Sequence, residues 1–181
     1  MNIKEYIKFD TPKSVSEWTT KAYSQQLLDY FDLNKQAICS PLIWYTGSMA
    51  TRINKFLRKG ILENSIFHFE LLQADLCQQE LPDNVVVYRY ISVSESLHLW
   101  KNTMFGKIYE NPCFISTTLL PKYFTGQAKD GRILITIYAP KGSRGMYITE
   151  LKNAIVEYEV LFAHHTNMVR KGLFEFEILI S

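Results

Sequence analysis

Up to Leu81-Pro82 the apolar residues of this chain recur every three or four positions; from Asn84 onward they arrive as short β-branched and aromatic runs. Val15, Trp18, Ala22, Leu27 and Tyr30/Phe31 keep the helical step, with Ser14 or Ser16 placed to cap its start. Ser40-Pro41 breaks the pattern, because a residue before proline resists the helical region. A second periodic run, IWYTGSMATRINKFLRKG, carries Ile53, Phe56 and Leu57 on one face and ends at Gly60; a third, IFHFELLQADLCQQELP, ends at Leu81-Pro82. The runs after Asn84 predict strands at 85–91, 114–119, 133–138, 146–148, 156–162 and 173–180, with one short helical stretch around SESLHLW. A helical part over about 1–82 followed by a strand-rich part over about 83–181 predicts one α+β domain with an antiparallel or mixed sheet. Alternating βα units are excluded by that order.

Composition narrows the function. Lys+Arg number 20 against 18 Asp+Glu, a net charge of +2, which argues against a broad basic face for nucleic acid. With 47% hydrophobic and 14% aromatic residues the chain is not a disordered one, and at this length roughly 70% of the unfolded surface can leave water without a disulfide or metal staple. Cys39, Cys77 and Cys113 are isolated and odd in number, which reads as three small hydrophobes of a reduced protein. No window approaches the ~20 apolar residues of a membrane span, and MNIKEYIKFDTPK lacks the apolar core of a signal peptide, so a soluble protein is expected. Phosphate loops of the GxGxxG or GxxxxGK[ST] kind are absent. His164-His165 has no companion ligands nearby, and no metal is expected.

Two Glu-x-Glu pairs stand in predicted strands, Glu157-Tyr158-Glu159 and Glu175-Phe176-Glu177. In a strand, positions i and i+2 share a face about 7 Å apart. Such a pair is ordinarily a solvated sheet face, and Glu175/Glu177 is read that way. For chemistry, two carboxylates on a rigid strand can divide labour, one stabilising a cation and the other handling a nucleophile's proton, and glycosidases place paired carboxylates in the same range. The pair at Glu157 and Glu159 follows Tyr88-Arg89 on one predicted strand and Ser116-Thr117-Thr118 on another, giving the order R…STT…ExE.

That order resembles the mono-ADP-ribosyltransferase superfamily of the arginine-modifying type, whose motifs are an aromatic-Arg, Ser-Thr-Ser/Thr and Glu-x-Glu. Surrounding segments are similar too: YTGSMATRINKFLRKG to the family's Tyr…Ile-Asn…Leu-Arg helix, ILITIYAPKGSRGMYI to its strand–PKG–strand segment, and EYEVLF to its glutamate strand. The similarity runs from about Tyr45 to Phe162. It implies NAD as co-substrate, with Arg89 pairing the phosphates through its guanidinium fork and Tyr45 and Asn54 holding the adenosine side. It implies that Ser116 fixes the rotamer of Glu159, and that Glu159 accepts the 2′-hydroxyl of the nicotinamide ribose and stabilises an oxocarbenium-like transition state. Glu157 would orient and help deprotonate an acceptor arginine, whose guanidinium pKa is above ~12. Thr117 counts among the cofactor-binding positions, mainly as strand support, and Phe124 as a ring that stacks on the cofactor.

Four departures qualify the resemblance. Tyr90 stands where many relatives have Gly or a second Arg, and the stretch LLPKYFTGQAKDG contains no arginine, leaving Lys122 or Lys129 to supply charge. Ala154 and the segment FAHHT differ from the usual residues on the acceptor side. The function implied is a toxin or effector moving ADP-ribose from NAD to an arginine of a target protein, actin being the first target to test. It would be secreted or delivered into another cell's cytosol, with a separate delivery component. Its rivals are a NAD glycohydrolase with water as acceptor and a non-catalytic relative that only binds.

Overall fold

In the computed structural model, which describes residues 5–22, 42, 45–59, 66–123, 131–148 and 158–180, the change of texture at Asn84 is a change of secondary structure. Residues 12–22 form helix α1. Its cap is Thr11, not Ser14 or Ser16: Thr11 Oγ1 accepts from the Ser14 amide at 3.2 Å, and Pro12 takes the first helical position, where its missing N–H costs nothing. A single π-turn at Tyr45–Met49 leads into α2, Ala50–Lys59, and α3 spans Ile66–Gln78. Helix α4, Val93–Asn102, is the stretch around SESLHLW.

Eight strands follow among the described residues: β1 Val85–Ile91, β2 Tyr109–Asn111, β3 Ile115–Thr118, β4 Ile133–Ala139, β5 Gly145–Tyr147, β6 Glu159–Phe162, β7 Thr166–Arg170 and β8 Glu175–Leu179. They form one mixed sheet in the order β2-β7-β8-β4-β1-β3-β6-β5, with β4 and β8 parallel and the remaining neighbours antiparallel. The sheet has a seam. β1 and β4 pair along their whole length from Val85↔Ala139 to Ile91↔Ile133, whereas β1 and β3 share the single register pair Tyr88↔Thr118. On one side of the seam lie β2-β7-β8-β4-β1, on the other β3-β6-β5.

Alternation along the strands sorts two cores. Val85, Val87 and Ile91 of β1 pack with Ile115, Ile135, Ile137, Val160, Phe162, Phe176 and Ile178, joining both halves of the sheet. Phe114, Met146 and Leu161 face the other way and are covered by Tyr45, Ile53 of α2, and Leu72 and Leu76 of α3. By the same alternation Glu159 shares the face of Leu161, so its carboxylate sits at the end of an apolar stripe beneath Tyr45.

Two expectations change. Strands β2 and β7 lie where none was predicted, because both are short and polar; Met168 anchors β7 by burial, and β8 pairs with it from Asn167↔Leu179 to Arg170↔Phe176. Among the described residues the glutamate strand begins at Glu159, preceded by Tyr158 with a left-handed φ of 49°, and positions 156–157 of the expected strand lie outside the described residues. His164-His165 occupies the turn between β6 and β7.

Candidate active site

Strand β1 delivers Arg89 on the same side as Val87 and Ile91, toward the seam. Its Nη1 donates to the Ser116 carbonyl at 2.8 Å, a side-chain bond spanning the place where the β1–β3 ladder is thinnest. Its Nη2 donates to Glu95 Oε1 at 3.2 Å. Glu95 sits in the first turn of α4, where Ser92 caps the helix by accepting from the Glu95 amide at 3.1 Å. Arg58, near the end of α2, lies 3.6 Å from the same Glu95 oxygen.

Across the seam, Ser116 Oγ donates a short hydrogen bond to Glu159 Oε1. Glu159 is only 3% exposed, so the bond holds a carboxylate that water barely reaches. Tyr45 covers this carboxylate from the π-turn. Its hydroxyl accepts from Asn54 Nδ2 at 2.9 Å, and burial pushes it up to about 12, with the Asn54 bond and the Arg89 charge pulling the other way. Tyr45 is therefore a neutral phenol at physiological pH. Asn54 Oδ1 is buried without a hydrogen-bond partner among the described residues, an acceptor that a ligand hydroxyl or amide can satisfy. The Asn54 backbone carbonyl accepts from the buried Cys113 thiol at 3.4 Å, and burial holds that thiol up in the protonated form.

Of the residues singled out from sequence, the fold brings Tyr45, Asn54, Arg89, Ser116 and Glu159 to one cavity of about 440 Å³. Thr117 is not on its wall; its buried hydroxyl donates to the Val160 carbonyl at 2.8 Å and ties β3 to β6. Glu157, Phe124 and Lys129 lie outside the described residues, and Lys122 is exposed. The wall also holds three charged groups that the sequence reading did not single out, Arg58, Glu95 and Arg132. Arg58 was within reach in the Leu57-Arg58 step of the helix motif, and Glu95 in the Ser-x-x-Glu capping pattern. Arg132 immediately precedes β4.

The cavity thus gathers three guanidiniums against two carboxylates, a local excess of positive charge suited to an anion. A second cavity of about 540 Å³ shares Arg58, Arg89, Ser92 and Glu95 with the first and is otherwise walled by Ile91, Leu99, Ile115 and Met168 among others. The two lobes meet at the arginines. Glu175-Phe176-Glu177 stands apart: Glu177 accepts from Tyr6 at 2.9 Å and pairs with Lys171 at 3.1 Å, while Glu175 is exposed. Among the described residues no helix is long and apolar enough to cross a membrane.

Solved structures share this architecture. The ADP-ribosylating toxin BECa of a binary enterotoxin of C. perfringens superposes with a TM-score of 0.75 at 18% identity, over 97% of this chain and 50% of BECa. Plx2a, an ADP-ribosyltransferase toxin from Paenibacillus larvae, gives 0.71 at 22% identity, over 96% and 99% of the two chains. C3stau2 from S. aureus, solved with NAD, gives 0.66 at 21% identity, over 96% of each. The chain spans about half the length of BECa and nearly all of the other two. At these identities the likeness speaks to the fold. No curated protein sequence matches the chain. The profile of the ADP-ribosyltransferase exoenzyme family matches residues 15–172, which is most of the sequence and includes every residue of the cavity wall, and the chain belongs to that family.

Proposed function

We propose that this protein is a toxin or effector that transfers ADP-ribose from NAD to an arginine of a target protein, releasing nicotinamide. The observation that carries the reading is a buried carboxylate, Glu159, held by Ser116 in the same cavity as Arg89. The two lobes suit a dinucleotide: its diphosphate fits the shared wall of Arg58 and Arg89, the adenosine half the apolar lobe, and the nicotinamide half the lobe of Glu159. That puts Tyr45 and Asn54 with the nicotinamide half and not on the adenosine side that the resemblance implies. Asn54 Oδ1 gives that second half an acceptor which is otherwise orphaned.

The residues then have defined tasks. Arg89 and Arg58 hold the anionic middle of the substrate and leave the glycosidic carbon beside Glu159. Glu159 accepts a ribose hydroxyl and places fixed negative charge where positive charge develops as nicotinamide departs; in a site that excludes water this is worth far more than in solvent. Ser116 spends its hydroxyl on keeping that carboxylate still. Glu157, two residues before Glu159, is the group assigned to the acceptor guanidinium, which needs a carboxylate partner because its own pKa is above ~12.

Incubating the protein with biotin-labelled NAD and a cell lysate tests the proposal. The expected result is label on an arginine of one major protein, absent with Glu159→Gln; actin is the first candidate by resemblance. Label on asparagine, or release of nicotinamide at an undiminished rate by Glu159→Gln, would overturn it.

A further inference from the structure

Glu95 is an odd residue to find at an anion site. It is a carboxylate on the wall common to both lobes, and the substrate proposed above brings two phosphates to that wall. By Coulomb's law alone it should repel them. Yet its placement is built in from three directions. Ser92 caps α4 through the Glu95 amide, which fixes the backbone of the residue. Arg89 Nη2 and Arg58 Nη2 lie 3.2 and 3.6 Å from one and the same oxygen, Oε1. The two nitrogens therefore stand no further apart than the sum of those distances, although they come from β1 and α2, elements far apart in sequence. Arg89 is pinned a second time by the Ser116 carbonyl, and it is 18% exposed against 50% for Arg58. The looser cation, Arg58, otherwise meets the Cys113 thiol, a weak hydrogen-bond partner, so the Glu95 carboxylate does most to set its place.

Resting on the NAD reading, we infer that Glu95 is a positioning residue: its carboxylate clamps Arg58 beside Arg89 to form a two-pronged seat for a diphosphate ester. Each guanidinium has five N–H donors in a fixed fork, so one bond to Glu95 leaves donors on both for phosphate oxygens. Without the clamp the Arg58 side chain recovers its rotamers, and ordering it again on each binding event weakens the complex. Glu95 touches no reacting atom in this arrangement. It acts through the arginines and affects the seat, not the chemical step at Glu159.

Initial rates of NAD hydrolysis by Glu95→Gln test this, because the sign of the effect separates clamp from repeller. The clamp predicts that KM for NAD rises about three- to tenfold while kcat stays within about twofold. A fall in KM, or no change, would overturn it, since Glu95 would then be a competing anion or a bystander. Glu95→Asp, which keeps charge and cap but reaches less far, is expected to lie between the two. Arg58→Ala should cost clearly less in the Glu95→Gln background than in the wild type; additive losses would sink the coupling. Calorimetric binding of inorganic pyrophosphate gives a readout independent of turnover. A wild type that holds pyrophosphate several-fold tighter than Glu95→Gln but turns over no NAD would refute the NAD reading and keep the clamp; equal pyrophosphate affinity in an active enzyme would do the reverse.

Discussion

Ser116 and Glu159 meet on the diagonal of the β3–β6 ladder: Thr118 is the register partner of Glu159, and Ser116 lies two residues back on the same face. Diagonal neighbours on a sheet are within reach of each other's side chains. The hydroxyl that orients the carboxylate is therefore fixed by strand register and needs no loop to position it.

Ser116→Ala removes that orientation and leaves the buried carboxylate to find other geometry. A hydrogen bond to a charged group contributes about 1.5–3 kcal/mol, so kcat for nicotinamide release should fall about 10- to 100-fold with KM nearly constant. An unchanged kcat would show that other contacts suffice to hold Glu159.

The two glutamates should separate cleanly. Glu159→Gln is expected to lower both NAD hydrolysis and protein labelling by about 10²–10³-fold or more, the scale of losing one preorganised electrostatic group. Glu157→Gln should spare hydrolysis and abolish arginine labelling. Parallel assays of free nicotinamide and labelled protein decide it, and equal loss of both activities in Glu157→Gln would end the division of labour.

His164 should make the fold sensitive to acid. Its ring packs edge-on against Phe114 and Phe69, and burial, helped by His165, pulls it from its ordinary 6.5 down to about 4. Above pH 6.5 both folded and unfolded chains are neutral at this site. Between 6.5 and about 4 the unfolded chain takes a proton that the folded one refuses, so stability falls as pH falls. The loss, discounted for partial exposure, is on the order of 2 kcal/mol. Urea denaturation at pH 7.5 and 4.5 should show it in the wild type and not in His164→Leu; identical slopes in the two would remove His164 as the cause.

Gly145 is a packing limit under the catalytic strand. A Cβ there would stand 2.7 Å from Phe162 Cδ1 and 2.9 Å from the Leu161 carbonyl, so β5 and β6 must part to admit it. Gly145→Ala is expected to cost about 1–3 kcal/mol, a Tm drop of roughly 2–12 °C, with NAD turnover impaired as Glu159 shifts with its strand. A variant with wild-type Tm would mean that the two strands separate at no cost.

Much of this was legible in the sequence, for identifiable reasons. Val85–Ile91 and Ile133–Ala139 are long, β-branched and central, so propensity and burial agree there. Arg89, Ser116 and Glu159 stood out through the order R…STT…ExE across predicted strands, a pattern read by resemblance and not by propensity. Strands β2 and β7 were illegible because their polar residues become strand only by pairing with each other and with β8, a tertiary cause. The cap at Thr11 was obscured by two serines nearby, and the left-handed Tyr158 by the apolar–polar alternation Val156-Glu157-Tyr158-Glu159-Val160, which reads as continuous strand. Arg58 and Glu95 were hidden for a different reason: each looked like an ordinary charge on a helix, and only the meeting of α2 with α4 gives them a shared oxygen.

The strand order carries a consequence for how such an enzyme comes into being. Strand β8 is later in sequence than the other seven, yet it lies inside the sheet between β7 and β4. A chain can pair β4-β1-β3-β6-β5, and so set Ser116 against Glu159, without β8. It cannot attach β7 and β2, which carry the Tyr109, Glu110 and Met168 side of the larger lobe, until β8 arrives. Enclosure of the larger lobe thus hangs on β8, the strand latest in sequence, whereas the meeting of Ser116 with Glu159 is settled by strands that precede it.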